Sequence, residues 1–522
     1  RSTTLHGGIW NLQGLGRFAA CNEYGTYNTT VTLDQGCVVT NAATLWLGYK
    51  TRNNTIKITD ASRVYANGGT LNWDSTGVNA LLEVSSGGQL HIINGNFVDG
   101  GGTSPSALIE ADTTNRIVVT GSGSKIVCPA SISGNNKLGF IIGTAFGRNS
   151  LDVSDHGEVY APFRLGVGFS NLANNNRAVF RDNAKYYISI LQIGEYGSHG
   201  NALEILSGAE GSFSTAYVGG NNRASCNNRL VLSNATLQCR QVLVSSVAGS
   251  ESNSFDIIGA DTDFSVTVTD VPRYPFIDKG VRNRFTLDGA SWNYWLNMEF
   301  EHAGSSNVIA FVNGAQMTAG GGYFSGTNDT SSCGNRIYVT SGALLSGKFY
   351  SITRADNVMI VSNATVEANE SASGQGTINF GTLLLNVDEA GINGNGLVLG
   401  GTTPRVQAAN DISFLRGSFL KVEMPPEGYA TDYAPVTAKT LVFDETSKIE
   451  ASGVAALQET LETSTIYTVA STTDGITIPD TVIAAANAEL ADIRANFVLT
   501  NNGKDLALRV SAPFKGTQLT IR

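Results

Sequence analysis

Apolar positions alternate with polar ones in short runs, and the runs recur. Asn228 to Leu237 reads NRLVLSNATL, Asn335 to Leu345 reads NRIYVTSGALL, and Asn357 to Val366 reads NVMIVSNATV. Each is an Asn, an apolar-x-apolar pair, a polar Ser or Thr corner, a small residue and another apolar residue. Side chains two apart on a strand share a face, so Leu230 and Leu232 point one way and Val231 the other. The small residue permits a sharp turn, after which Leu237 restarts a strand on the inner side. Related stretches begin at Asn54, Ala80, Asn115, Asn149, Asn176, Asn201, Asn253, Asn283 and Asn307, roughly 25 residues apart with some longer steps.

A second pattern sits between these anchors. Leu45, Leu47 and Gly48 form an apolar-x-apolar-Gly unit, as do Phe140, Ile142 and Gly143, then Leu165, Val167 and Gly168. Leu191, Ile193 and Gly194 and then Ala216, Val218 and Gly219 continue it. One strand after the Asn, one after the corner and one ending in Gly make three per coil. The expected fold is therefore all-β, a right-handed parallel β-helix of roughly triangular section. A propeller blade needs more residues per repeat, and a leucine-rich repeat places its Asn after the strand and returns through a helix.

Stacked coils would bring equivalent residues about 4.8 Å apart along the axis. Apolar residues then form internal columns, and the anchors form an Asn ladder: Asn54, Asn115, Asn149, Asn176, Asn201, Asn228, Asn253, Asn283, Asn307, Asn335 and Asn357. Two prolines between Asp261 and Pro275 predict an excursion from the coil, and Gly320 to Gly334 reads as a long turn. The anchor motif fades beyond Ala372. Residues 1–371 are expected to be solenoid repeats, and 372–522 a continuation closed by a β-rich cap, with a helix around Thr481 to Ala495.

The Asn-led coils with Gly or Ala corners resemble the passenger regions of bacterial autotransporters and related surface proteins, and more distantly the β-helices of the pectate-lyase type. The resemblance covers roughly Asn28 to Asn369 and is architectural. It implies an exported protein. No membrane barrel of alternating strands follows the coils, a departure from the autotransporter pattern.

Composition changes the picture little. The 522 residues hold 15% charged side chains, 59 Gly and a formal net charge of -10, without the basic stripe that nucleic acid requires. No apolar run is long enough to span a membrane. The first residue, Arg1, reads as a processed or truncated start, which predicts an extracellular or cell-surface location reached through a leader removed earlier. Six cysteines are present. They read as buried free thiols, with Cys21–Cys37 and Cys226–Cys239 bridges as the second reading.

Candidate chemistry is sparse. Asp155 and His156 occupy a corner with Glu158 just after it, and Glu299 and Glu301 alternate with Phe300 as on an outward strand face, followed by His302; either set could serve a polysaccharide lyase or hydrolase. Trp292, Tyr294 and Trp295 form the densest aromatic cluster, and with Glu299 and Glu301 they are the candidate glycan contacts; Trp292 falls where Leu237 falls in its coil, so core packing is the stronger reading for it. Sequons fall at Asn28, Asn53, Asn234, Asn328, Asn363 and Asn369. The pattern predicts no cofactor and no metal. The expected function is a non-enzymatic structural protein that associates with itself head to tail into a fibre or surface layer. The alternative is a glycan-binding adhesin or a carbohydrate-active, tailspike-like β-helix.

Overall fold

The computed structural model describes residues 1–14, 17–20, 27–47, 52–71, 78–99, 114–130, 139–144, 147–267, 273–323, 334–352, 357–369, 378–381, 395–430 and 432–513. The chain is a parallel β-solenoid of about 13 turns, each about 27 residues long, with its strands in two sheets. It divides into two units, one of residues 1–271 and 276–286, the other of 272–275 and 287–522.

In the first unit, in-register parallel pairing turns the apolar-x-apolar pairs into columns. One runs Leu33, Ile58, Val84, Val119, Val153, Phe180, Ile205, Leu232 and Ile257. A second, offset by two residues, runs through Leu203, Leu230 and Phe255, and the ring of Phe255 meets that of Phe285 at 5.9 Å. All of these side chains are buried. In the second unit the matching column is Ile309, Ile337, Met359, Leu397, Leu420 and Ile449. Each such residue contributes roughly 1.5–3 kcal/mol through removal from water, and the stack adds these contributions turn by turn.

The second and third strands of a turn differ from the expected separate pieces. In four successive turns they merge into single strands, Glu158–Val167, Lys185–Ile193, Glu210–Val218 and Thr236–Val244. A register shift between Ala161 and Arg164 marks where the corner lies within the first of them. A bulge bends a strand without ending it, so two sheets carry three strand positions. The core adapts to large residues locally. A Cβ on Gly211 would lie 2.0 Å from the Tyr186 carbonyl oxygen and 2.5 Å from its ring. Glycine there makes room for Tyr186, whose hydroxyl donates to the Thr236 carbonyl at 2.8 Å.

Two expectations need correction, and for the described cysteines the free-thiol reading holds. The proline-bearing stretch is not wholly an excursion: Arg273–Val281 is a strand containing Pro275, and Val244 pairs with Ile277. Proline lacks a donor but is tolerated near a strand's start. Gly320 to Tyr323 belong to the strand Gln316–Tyr323, and the rest of that supposed turn up to Cys333 lies outside the described residues. Cys37, Cys128, Cys226 and Cys239 are free thiols. Cys37, Cys128 and Cys239 are buried, and burial pushes the Cys128 thiol up to about 12. Cys21 and Cys333 lie outside the described residues.

The second unit ends in a small region with different pairing. Thr465–Thr477 pairs parallel with Val436–Phe443 on one edge and antiparallel with Asp505–Val510 on the other. Asp505–Val510 also pairs antiparallel with Ala495–Thr500. Two helices accompany them: α1 (Val454–Thr460), which the sequence pattern did not announce, and α2 (Asp480–Leu490). Helix α2 buries Val482, Ala486 and Leu490, four residues apart and so on one face. It packs on Ala495–Thr500 and on Lys448–Ser452.

Candidate functional site: corner ladders and outer faces

Each turn begins with two corner residues in different states. The outer one is left-handed: Asn53, Asn79, Thr114, Arg148, Asn175, Asn227, Ser252 and Arg282 have φ between 50° and 58°. Asn tolerates this conformation because its short polar side chain bonds locally. The next residue is the anchor, and it is buried. Asn115 Oδ1 accepts from the Ala80 backbone N–H at 3.0 Å, and Asn149 Oδ1 from Asn115 N–H at 3.0 Å. The same bond joins Asn149 to Asn176, Asn176 to Asn201, Asn201 to Asn228, Asn228 to Asn253 and Asn253 to Asn283, all at 2.9–3.1 Å. In the second unit it joins Asn307 to Asn335, Asn335 to Asn357, and Asn357 to Asn395. Asn54 is also buried, its Oδ1 accepting from Thr29 N–H.

The Gly that closes each third strand belongs to this device. A Cβ on Gly143, Gly168, Gly194 or Gly219 would fall 2.2–2.3 Å from the side chain of Asn176, Asn201, Asn228 or Asn253 respectively. Those glycines are left-handed, with φ of 74–88°. Ser245 holds the equivalent place with φ 58°, and its hydroxyl enters the ladder, accepting from Asn253 Nδ2 and donating to Asn283 Oδ1. Sequence reading missed Asn395, Ser245 and the Gly–Asn contacts. The signal for Asn395 was present in NGLVLGG, whose Asn precedes an apolar-x-apolar pair.

Outward positions of the first strand in the first unit carry a second lattice. Arg177 and Arg229 both reach Glu204, at 2.5 and 3.5 Å. Arg284 engages Asp256 through Nε and Nη2 at 3.2 and 3.1 Å, and Arg181 meets Asp152 at 3.2 Å. Glu204 and Asp256 are 15% and 6% exposed, low enough that these pairs are screened less than surface ones. A buried carboxylate, Glu195, accepts from the backbone N–H of Asn221 and Asn222 and from Asn222 Nδ2. Burial pushes its pKa up, against those bonds and the nearby Arg164. The Arg164 guanidinium lies over Phe163 and Phe169, 5.4 and 5.6 Å from the ring centroids.

Of the candidate catalytic and glycan residues, Asp155, His156, Glu158 and Trp292 have described side chains. Asp155 and His156 are exposed, left-handed corner residues 3.4 Å apart, and Glu158 starts the following strand opposite Lys125 and Lys185. Trp292 is buried, in register with Met317, and so belongs to the core. Tyr294, Trp295, Glu299 and Glu301 lie on the strand Ser291–Ser305, and their side chains, with that of His302, are outside the described residues. Among the described residues no group of three or more His, Cys, Asp or Glu is arranged to hold a metal ion. Among the described residues no helix is long and apolar enough to cross a membrane.

One outward column was overlooked. Tyr65, His91, Val127, Tyr160 and Tyr187 occupy equivalent positions on consecutive second strands. The signal was readable: each stands 11 residues after its turn's anchor position, or 12 at Val127. Comparison with family models, curated proteins and solved structures finds no match to this chain.

Proposed function

We propose that the protein is a non-enzymatic, exported structural element of a cell surface or extracellular layer, wound right-handed like the passengers it resembles, and that it pairs with a second copy of itself. One observation carries the reading: side chains that elsewhere do chemistry here join one turn to the next. The anchor amides bond rung to rung, and on the first strand's outer face Arg177, Arg181, Arg229 and Arg284 bond acids of neighbouring turns. Such a stack gains cohesion with every added turn, as repeat arrays do.

Self-association is proposed through strand edges, because an edge presents unpaired N–H and C=O groups on which a second copy can pair.

Sedimentation across a concentration series tests this, with electron microscopy of the same samples. A concentration-dependent dimer or larger assembly is the expected result. A monomer at every concentration refutes self-association. Turnover on a panel of polysaccharides refutes the non-enzymatic reading.

A further inference from the structure

The overlooked column contains a slot. Tyr65 and His91 stack with ring centroids 4.7 Å apart and an 18° tilt; Tyr160 and Tyr187 stack at 4.9 Å and 13°. Between the two pairs stands Val127, in register with His91 on one side and Tyr160 on the other. Adjacent strands lie about 4.8 Å apart, so the rungs of His91 and Tyr160 are about 10 Å apart. Half of that is a stacking distance of the kind each ring already keeps with the ring at its back. One six-membered ring therefore fits above Val127, with His91 and Tyr160 as walls. The walls are backed by second rings, and Tyr160 and Tyr187 are 46% and 48% exposed.

Beside the slot stand Lys125 and, in register with it on the Tyr160 strand, Glu158. Lys125 lies two residues before Val127 on the same outward face, and Arg63 stands two rungs back in the Lys125 column, across Gln89. Among the described residues neither cation has an ion-pair partner, whereas Lys185 in the same column is paired to Glu210 at 3.2 Å. Gln89 Oε1 accepts from His91 Nε2 at 3.0 Å, which fixes that imidazole as a wall. The titratable groups facing His91 are Tyr65 and Arg63 from the preceding rung and Lys125 from the next, with Glu158 one rung further. Burial first, then Lys125 and Arg63, hold the His91 pKa below its ordinary value.

We propose that this slot binds one sugar ring of an acidic polysaccharide, the pyranose sandwiched between His91 and Tyr160 and its carboxylate paired with Lys125. Aromatic faces suit the apolar C–H faces of a sugar, and unpaired cations in a chain of net charge -10 select an anion locally. A chain running along the stack would place further acidic residues within reach of Arg63. The site is independent of self-association, so either proposal can fail alone.

Calorimetric titration with a tetrasaccharide of uronic acid, and with its carboxyl-reduced neutral counterpart, tests the proposal. Saturable binding of the acidic form is expected, with at least tenfold preference over the neutral one. Val127→Phe fills the slot and should weaken binding at least tenfold, while Ser265→Phe, further along the same outward column, should not. Lys125→Gln should abolish the preference for the acidic form. Bound anion should also raise the His91 pKa, read by proton NMR, a readout that survives if Val127→Phe fails to fold. No saturable binding, equal affinity for the neutral sugar, indifference to Val127→Phe in a folded variant, or equal affinity for a single-stranded oligonucleotide would each overturn it.

Discussion

The corner works because two neighbouring residues solve opposite problems. The outer one accepts a left-handed backbone in water, and the anchor offers a buried carbonyl oxygen to the turn before it. Asn228 Oδ1 takes both Asn201 N–H and Asn201 Nδ2, at 3.1 and 3.0 Å, and its own Nδ2 donates to the carbonyls of Ser198 and Cys226. Asn228→Ala leaves a buried N–H without its acceptor and should cost about 1–3 kcal/mol, read as a shift in the urea unfolding midpoint. The exposed Asn53, whose Nδ2 bonds Asn28 at 3.0 Å, should tolerate alanine within about 0.5 kcal/mol. Gly194→Ala should be as damaging as Asn228→Ala, because its Cβ would displace that same amide from 2.2 Å away and strain a φ of +74°.

At the level of strands, what sequence revealed and what it hid have one physical cause. Alternation exposes inward columns, since Leu203, Leu230 and Phe255 must be apolar to be buried, and so those positions could be named in advance. Outward columns follow no such rule, and pairing across 25 or more residues must be known before Tyr160 is seen to stand on Tyr187. The merger of second and third strands was hidden for a related reason: the corner between them is a register shift, with no residue type that enforces a break. Ion pairs across strands were equally invisible. Arg284→Met leaves Asp256, 6% exposed, without its two-pronged donor, and a loss of about 1–3 kcal/mol follows. Double substitution with Asp256→Asn should recover part of it, a coupling measurable in a double-mutant cycle.

Across the molecule, the second unit shows how a repeat stack is brought to a stop. Parallel strands give way to an antiparallel pair, and α2 lies on Lys448–Ser452 where another strand would otherwise pair. Gln458 Nε2 ties the region together by donating to the carbonyls of Ile493 and Ser511. The periodic pattern could not show this, because a terminator is by construction the place where the period fails. Leu490→Lys puts a charge into the buried face of α2 and should unseat the helix. The bared strand edge should then raise light scattering at concentrations where the unaltered protein stays clear.

The amide that joins Asn335 to Asn357 spans 22 residues, and the one that joins Asn357 to Asn395 spans 38, yet the two bonds measure 3.0 and 3.1 Å. Alignment of neighbouring rungs is thus decoupled from the contour length of polypeptide between them. A lineage carrying this fold can lengthen or swap the intervening segments without renegotiating its frame, and an engineer could graft a foreign peptide between the same two anchors.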